Sequence, residues 1–374
     1  MSTMERTTPR AGPPAARSLL RPPLSLGFLS RRQYAASLMA ADEIQVTVGE
    51  RTERLTHPDK VLFSAQGWTK QDLVDHYLEC ADGALRGVFN RPCVLKRWRE
   101  GTAGKPFYQK RAPHSPGRTY AEVAFPSGRR AALVVPVHAA DLVWMAHLGC
   151  LDLNPWPVRS DDLDRPDELR VDLDPGPGVG FESVRAVTRL IGEELEEHEL
   201  TGWPKTSGSR GMHVLVRIAP EWSFTSVRRA ALALARAVER RAPSLTTTAW
   251  WKEERHGVFI DYNQNARDRT VASAYSVRET GLVSAPLEWS EVDDADPLDF
   301  PMDRFAARWQ AVGDCHAGID AAPGRLDALL DLAARDEREG LGDAPWPPHF
   351  PKHDDEPVRA PPSRRRADPG DRKA

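Results

Sequence analysis

Residues 169–180 read LRVDLDPGPGVG. Asp172 and Asp174 stand two apart in a largely apolar run that ends in Pro and Gly. Side chains at i and i+2 of a strand project from the same face, so the two carboxylates point the same way at a strand end. Carboxylates this close repel. In a partly buried site one takes up a proton, or both need a cation, and a hard divalent metal is the usual one. Asp-Pro-Gly is also good turn chemistry, which accounts for Asp174 but not for Asp172 inside the strand. On this stretch alone the metal and turn readings stand level.

A third acid lies further on. In HGVFIDYNQN (256–265), Asp261 follows strand-like apolar residues, where a charge is costly unless paired. A salt bridge to one of the chain's many arginines is the structural alternative. Three strand-end aspartates could hold two metal ions about 3.5–4 Å apart, the arrangement used in phosphoryl and nucleotidyl transfer. Between the acids runs WPKTSGSRGMHVLVRI (203–218). A loop of small, flexible and basic residues before a strand can turn backbone N–H groups toward an anion. Ser207 and Ser209 add hydroxyl donors, Arg210 adds charge, and His213 is placed to bond a phosphate oxygen. The spacing is neither GxxxxGK[ST] nor GxGxxG. A Ser/Gly loop also occurs in ordinary hairpins, and a single His is often structural. The informative feature is the order: acid pair, Ser/Gly/basic loop with His, third acid.

The whole chain sets the frame. It has 374 residues, 40% apolar and 28% charged, with a formal net charge of -3. That suits a globular protein, and any positive surface for nucleic acid must be local. Cys80, Cys93, Cys150 and Cys315 are scattered without a CxxC pair, which argues against a zinc site or disulfide framework and fits a cytoplasmic protein. Residues 1–41, free of acids from Arg6 to Met39, read as a disordered leader or a mis-assigned start, with Met39 as the other start; a transit peptide is the rival reading. Residues 42–346 read as one folded domain and 347–374 as a disordered charged tail. Alternation over 43–56 predicts a hairpin. Residues 69–89 predict a helix capped by Thr69, with Leu73, Tyr77 and Leu78 inward. Further helices are expected over 139–150, 181–200 and 223–243. Strands are expected over 92–98, 106–112, 131–137, 168–174, 211–220, 257–263 and 270–277. Mixed elements without regular βαβ alternation predict an α+β fold.

These motifs in this order resemble the archaeo-eukaryotic primase superfamily, and within it the polymerase domain of bacterial ligase D and its stand-alone primase-polymerase relatives. The resemblance runs from about Leu55 to Arg278. Its specific stretches are LTHPDKVLF, VLKRWREG, PFYQK, DDLDRPDELRVDLDPGPG, KTSGSRGMHV and VFIDYNQNARDRTVASAYSVR. It implies the primase-polymerase fold, with sheets flanked by helices. It implies that Asp172, Asp174 and Asp261 are catalytic metal ligands for two Mn2+ (or Mg2+) ions. Ser207, Arg210, His213 and Arg278 would hold the incoming NTP or dNTP. Phe107 and Tyr108 would stack on the nucleotide or template base. His57, Lys60 and Lys70 match a pocket for the DNA 5′-phosphate across a gap. Lys96, Arg97 and Lys110 would lie near nucleic-acid phosphates.

One departure concerns LGCLDLNPWPVR (148–159), where Asn154 stands at a position that relatives with a ligase often give to His. Asn can hydrogen-bond but carries no positive charge: either Asn154 binds nucleotide in a subgroup that uses Asn, which is the expectation, or nucleotide affinity is altered. No KxDG ligase motif is present, so the chain reads as a polymerase module. The implied activity is template-directed nucleotidyl transfer with a preference for ribonucleotides. It would fill gaps or 3′ overhangs at DNA ends in non-homologous end joining, near the bacterial nucleoid. A Ku-type end-binding protein and a separate ATP-dependent DNA ligase are the implied partners. The rivals are a DNA-end-binding module that recognises 5′-phosphates, which needs no aspartates, and a metal-dependent phosphohydrolase, which needs no stacking platform.

Overall fold

A computed structural model of the chain describes residues 42–125 and 129–347. The expected leader, and the expected tail beyond its first residue, lie outside the described residues. The chain begins with the predicted hairpin, β1 (Glu43–Val48) and β2 (Arg51–Thr56), in register from Glu43↔Thr56 to Val48↔Arg51. A short pair, β3 (Val61–Phe63) and β4 (Trp68–Thr69), leads into α1 (Lys70–Glu79). Thr69 caps α1 as expected: its Oγ1 accepts from the Asp72 N–H at 3.2 Å, and the Asp72 carboxylate accepts from the Thr69 N–H at 2.7 Å. This reciprocal box satisfies two amides that the first turn would otherwise leave unpaired. The one helix expected over 69–89 is two. The first stops at Cys80, whose φ -106° and ψ 30° leave the helical region, and α2 (Ala81–Val88) follows, with Gly83 and Gly87 against Tyr275 and Ser273.

A first sheet contains β5 (Cys93–Arg97), β6 (Phe107–Gln109), β7 (Thr119–Ala124) and β8 (Arg130–Val135) in the order β6-β5-β8-β7. After α3 (Ala139–His147), β9 (Asn154–Pro155) pairs back onto β5. A second sheet contains β10 (Glu168–Pro175), β11 (Gly202–Thr206), β12 (Met212–Arg217), β13 (Thr246–Thr247) and β14 (Val258–Ile260), in the order β11-β12-β10-β14-β13. Only β13–β14 is parallel. Helices α4 (Phe181–Glu197) and α5 (Phe224–Arg241) pack on this sheet and on each other, with α6 (Phe305–Val312) and α7 (Asp327–Arg338) completing the fold. The architecture is α+β, as expected.

The central strand β10 alternates strictly. Leu169, Val171 and Leu173 are buried on one face, where Thr188 of α4 reaches Met212, the cross-strand partner of Leu173. The other face carries Glu168, Arg170, Asp172 and Asp174. At its first residues this polar face is neutralised by a buried ion cluster. Arg217 pairs with Glu168 at 2.8 Å, Arg170 with Glu168 at 2.8 Å, and Arg91, just before β5, with Asp167 at 2.6 Å. Burial works to raise the Asp167 and Glu168 pKa values, but the arginines outweigh it: Asp167 falls to about 2 and Glu168 lower still. The cluster ties the second sheet to the chain entering the first.

One strand expectation fails. Residues 270–277 (TVASAYSV) form no strand; the segment turns at Ala274–Tyr275, with Tyr275 at φ 65°. It bonds instead to other segments, with Tyr275 N–H to Ser284 O at 2.9 Å and Ser273 N–H to the distant Leu153 O at 2.8 Å. Among the described residues no helix is long and apolar enough to cross a membrane, and the four cysteines are buried free thiols.

Gly211 enters β12 where a Cβ would lie 2.1 Å from the Leu173 carbonyl oxygen. Any side chain there must push β12 away from β10. Gly211→Ala is therefore expected to lower stability by about 2 kcal/mol or more, read as a fall in Tm by calorimetry.

Candidate nucleotide and metal site

The three aspartates converge. One carboxylate oxygen from each of Asp172, Asp174 and Asp261 lies within 4.8 Å of the others. Asp172 and Asp174 sit inside β10, between β12 and β14. Asp261 follows β14 and ties its N–H to the Asp172 carbonyl at 2.8 Å. It also ends that strand: its Oδ1 accepts from the Asn263 N–H at 2.9 Å and starts a 3-10 turn over Tyr262–Asn265, while its Oδ2 accepts from Gln264 Nε2 at 3.0 Å. Asp172 is nearly buried, Asp261 half-buried and Asp174 exposed at the rim.

Their electrostatics follow from this crowding. Burial raises the Asp172 pKa to about 6, against the pull of Lys205 and Arg278. The neighbouring Asp172 charge, then burial, raises Asp174 to about 7, although Arg255, Arg210 and Arg278 face it. Burial and both other acids raise Asp261 to about 7. Three hard oxygen donors with no arginine or lysine in hydrogen-bond range among the described residues are a donor set suited to divalent metal.

One row across three strands extends the site. Asp172 is the register partner of His213, and His213 of Lys205. His213 Nε2 lies 3.2 Å from Asp172 Oδ1. Lys205, fully buried, was not singled out from the sequence. Its Nζ meets His213 Nδ1 at 2.7 Å, Ala272 O at 2.9 Å and Ser284 Oγ at 2.6 Å. Ser284 Oγ donates its own proton to Thr206 O at 2.7 Å, so it accepts from Lys205. Three contacts for three N–H groups is the arrangement of an ammonium, even though burial, and then Arg278, pull its pKa well down. Burial, then Lys205 and Arg278, likewise keep His213 neutral. With Nδ1 accepting from Lys205, the imidazole proton sits on Nε2 and faces Asp172 and the loop.

The Ser/Gly loop departs from one expectation. The Ser207 hydroxyl oxygen accepts from the amides of Ser209 at 3.2 Å and Gly211 at 3.1 Å. Those N–H groups therefore turn inward, and the donor Ser207 offers is its hydroxyl proton. Gly208, at φ 70°, passes beneath Arg278, where a Cβ would lie 2.5 Å from Arg278 Cγ. Arg278 Nη1 donates to Ser207 O at 3.0 Å. Arg210 is exposed at the loop tip. Lys96 is buried beside Arg278: Asp152 lies 2.9 Å from Lys96 Nζ and 3.6 Å from Arg278 Nε. Asn154 is buried on β9 and donates to the Asp152 carbonyl at 3.3 Å. Arg255 also escaped the sequence reading. It stacks 3.5 Å over the Phe259 ring and faces Asp261 and Asp174.

A second cluster forms on the first sheet's side of the chain. The turn after β2 brings Lys60 and Lys70 together, with Lys70 N–H bonded to Lys60 O at 2.9 Å. Lys70 Nζ donates to Thr56 O at 2.7 Å, and Lys60 Nζ to Arg99 O. Burial, then Lys60, lowers the Lys70 pKa. His57 stands in the left-handed region at φ 49°. His147, at the end of α3, joins them. Burial, then Lys70, Arg54, Arg97 and His57, push its pKa down to about 4. Arg54 and His147 carry no local signal in the sequence, because only the fold brings them here. Phe107 and Tyr108 are exposed on β6, at 47% and 56%, paired with Arg97 and Lys96 across β5. Lys110 lies 4.3 Å over Phe125.

Comparison with known proteins follows the same lines. Residues 69–316 match the family model for the LigD primase-polymerase domain. The chain belongs to this family. It is 30% identical over 312 residues to the multifunctional non-homologous end joining protein LigD of Mycolicibacterium smegmatis, which covers 81% of this chain and 41% of that protein. The LigD protein of Mycobacterium tuberculosis is 31% identical, over 76% of this chain and 39% of its own length. The chain thus spans about two fifths of these relatives. The solved polymerase domain of Mycobacterium tuberculosis ligase D in complex with DNA superposes with a TM-score of 0.67 at 31% identity. The match covers 72% of this chain and 98% of that domain.

The raised carboxylate pKa values have a measurable consequence. Between the ordinary value of 3.8 and folded values near 6 to 7, the folded state holds protons that the unfolded chain releases. These groups therefore make stability fall as pH rises through that window. In chelator, the Tm contribution of the site is expected to decline from pH 5 to pH 7.5. Mn2+ is expected to raise Tm more at pH 7.5 than at pH 5, and Asp174→Asn to raise the Tm of chelated protein at pH 7.5. Scanning fluorimetry across pH with chelator or metal checks all three.

Proposed function

We propose that this chain is a metal-dependent, template-directed nucleotidyltransferase that fills gaps at DNA ends in non-homologous end joining. The observation that carries the reading is the row of Asp172, His213 and Lys205 with Asp174 and Asp261 beside Asp172, in a chain of the LigD primase-polymerase family. Asp172, Asp174 and Asp261 would hold two divalent ions, Mn2+ or Mg2+. Bound there, such ions neutralise phosphate charge and make a primer 3′-hydroxyl more acidic.

The chain's own residues do the rest by position and charge. The 3′-hydroxyl attacks the α-phosphorus of the nucleoside triphosphate and pyrophosphate leaves. His213 Nε2–H, the Ser207 hydroxyl, Arg210 and Arg278 face the phosphates, and their donors meet the charge that grows on phosphate oxygens in the transition state. Lys96, beside Arg278, adds to this corner. Phe107 and Tyr108, exposed on β6, offer stacking surface for a base. Lys60 and Lys70, with His57, Arg54 and His147 around them, take the 5′-phosphate on the far side of the gap. Phosphate contacts of this kind position the enzyme without reading sequence. Ribonucleotide preference, a Ku-type recruiter and a separate ATP-dependent ligase belong to the same proposal.

A DNA-end-binding role is the second reading. It is favoured by one feature: the basic pocket is built from elements that do not carry the carboxylates. Asp172→Ala and Asp261→Ala are each expected to abolish extension of a labelled gapped duplex while leaving its binding intact. Extension that survived either change would remove the metal assignment. Lys60→Ala is expected to lower extension several-fold on gaps bearing a 5′-phosphate, and less on simple overhangs. Equal loss on both substrates would remove the pocket.

A further inference from the structure

Two of the three site carboxylates are fixed by the sheet: Asp172 and Asp174 lie in β10, bonded on both sides. Asp261 is different. It lies past the end of a three-residue strand, on a 3-10 turn, and needs support from elsewhere. That support comes from a segment beyond the residues matched by the family model. Asn263, whose amide holds Asp261 Oδ1, is buried. Its side-chain oxygen accepts from Arg228 Nε of α5 at 2.7 Å, and its Nδ2 donates to the Pro345 carbonyl at 3.2 Å.

Arg228 is itself buried, and residues 343–346 surround it. Its Nη1 donates to Asp343 Oδ1 at 2.7 Å and its Nη2 to the Ala344 carbonyl at 2.7 Å. Its guanidinium lies 4.2 Å over the Trp346 ring and 5.1 Å over Tyr262. Trp346 is buried in turn, and its Nε1 donates to Asp343 Oδ2 at 2.8 Å. A planar guanidinium fixed through Nε and both Nη groups has little freedom left.

We propose that the Asp343–Trp346 segment acts as a strap that positions Asp261. It clamps Arg228, Arg228 holds Asn263, and Asn263 sets the Asp261 carboxylate against Asp172 and Asp174. Arg228 and Trp346 are positioning residues: neither is among the three carboxylates. The inference rests on the reading of those carboxylates as a metal site. Loss of an outer partner of a metal ligand typically costs about 10- to 100-fold in metal affinity.

The test is Mn2+ binding to the full-length protein, read from the free-ion signal in electron paramagnetic resonance, for wild type, Arg228→Gln, Trp346→Ala and Asp343→Ala. Each variant's Tm in chelator is measured alongside, and its affinity for a gapped 5′-phosphorylated duplex by anisotropy. Mn2+ affinity is expected to fall roughly tenfold or more in Arg228→Gln and Trp346→Ala, and less in Asp343→Ala. Duplex affinity is expected to stay at the wild-type level, because the Lys60/Lys70 pocket does not touch the strap. Asp343 is half exposed, so Asp343→Ala carries the test if the buried substitutions unfold. Wild-type Mn2+ affinity in every folded variant, with only Tm reduced, overturns the strap as a positioning element. Mn2+ binding that Asp172→Asn leaves unchanged overturns the metal reading itself, and that outcome is separate from the first.

Discussion

Three carboxylates with oxygens within 4.8 Å of one another are the constraint that the rest of the molecule serves. Left alone they would separate or protonate. Here the backbone denies them separation: two are locked by period-two geometry in one strand, and the third is tied to that strand by its own amide. Among the described residues no arginine or lysine closes on the trio within ion-pair range, and the neutral His213 is the neighbour of Asp172 at 3.2 Å. Arg210, Arg255 and Arg278 face it from a distance, and Lys205 is held one residue away behind His213. A fully paired cluster, such as Arg91, Arg170 and Arg217 with Asp167 and Glu168, looks quite different. Both clusters lie on the same face of β10. One is neutralised by paired arginines; the other keeps its carboxylates crowded together, with raised pKa values.

Much of this was legible in the chain. The i, i+2 spacing of Asp172 and Asp174 places them on one face wherever the strand ends, and Asp261 stands out because a carboxylate after VFI needs a partner. Thr69 and Asp72 announce their helix start through local capping chemistry. The order of motifs carried the family. What stayed hidden depends on contacts distant in sequence. Lys205 sits between Pro204 and Thr206 with no local mark; only the β11–β12 register sets it against His213. Arg228 reads as one more arginine on an Arg- and Ala-rich helix, and His147 as a helix-end residue. The missed turn in 270–277 has the same cause, since β-branched and aromatic residues there favour a strand until partners at Leu153 and Ser284 draw the backbone elsewhere. The break at Cys80 was hidden because both halves are helical and only packing separates them.

The two basic clusters also separate by role. Around Arg278 the cations are restrained by Asp152 and Glu279, with Lys96 buried against Asp152. In the second cluster Arg54 pairs with Glu43 at 3.2 Å, whereas the Lys60 and Lys70 ammonium groups bond to the backbone carbonyls of Arg99 and Thr56. A carbonyl orients a lysine without cancelling its charge, so the second cluster presents more of its field to an anion than the first.

The three-way bonding of Lys205 has a wider bearing. It joins β11, the 270–277 turn and the 282–284 segment through a single ammonium, and these are the walls on which the Ser/Gly loop and Arg278 rest. A loop mounted on such a junction has little room to reorganise. The Ser209 and Gly211 amides are already committed to Ser207 Oγ, so the donor the loop offers, the Ser207 hydroxyl proton, is held by a preset frame, and the reorganisation energy that solvent or a mobile loop would require is largely absent. Ser284 and Ala272, which bond Lys205 and not the carboxylates, are in this sense part of what sets the site's polarity.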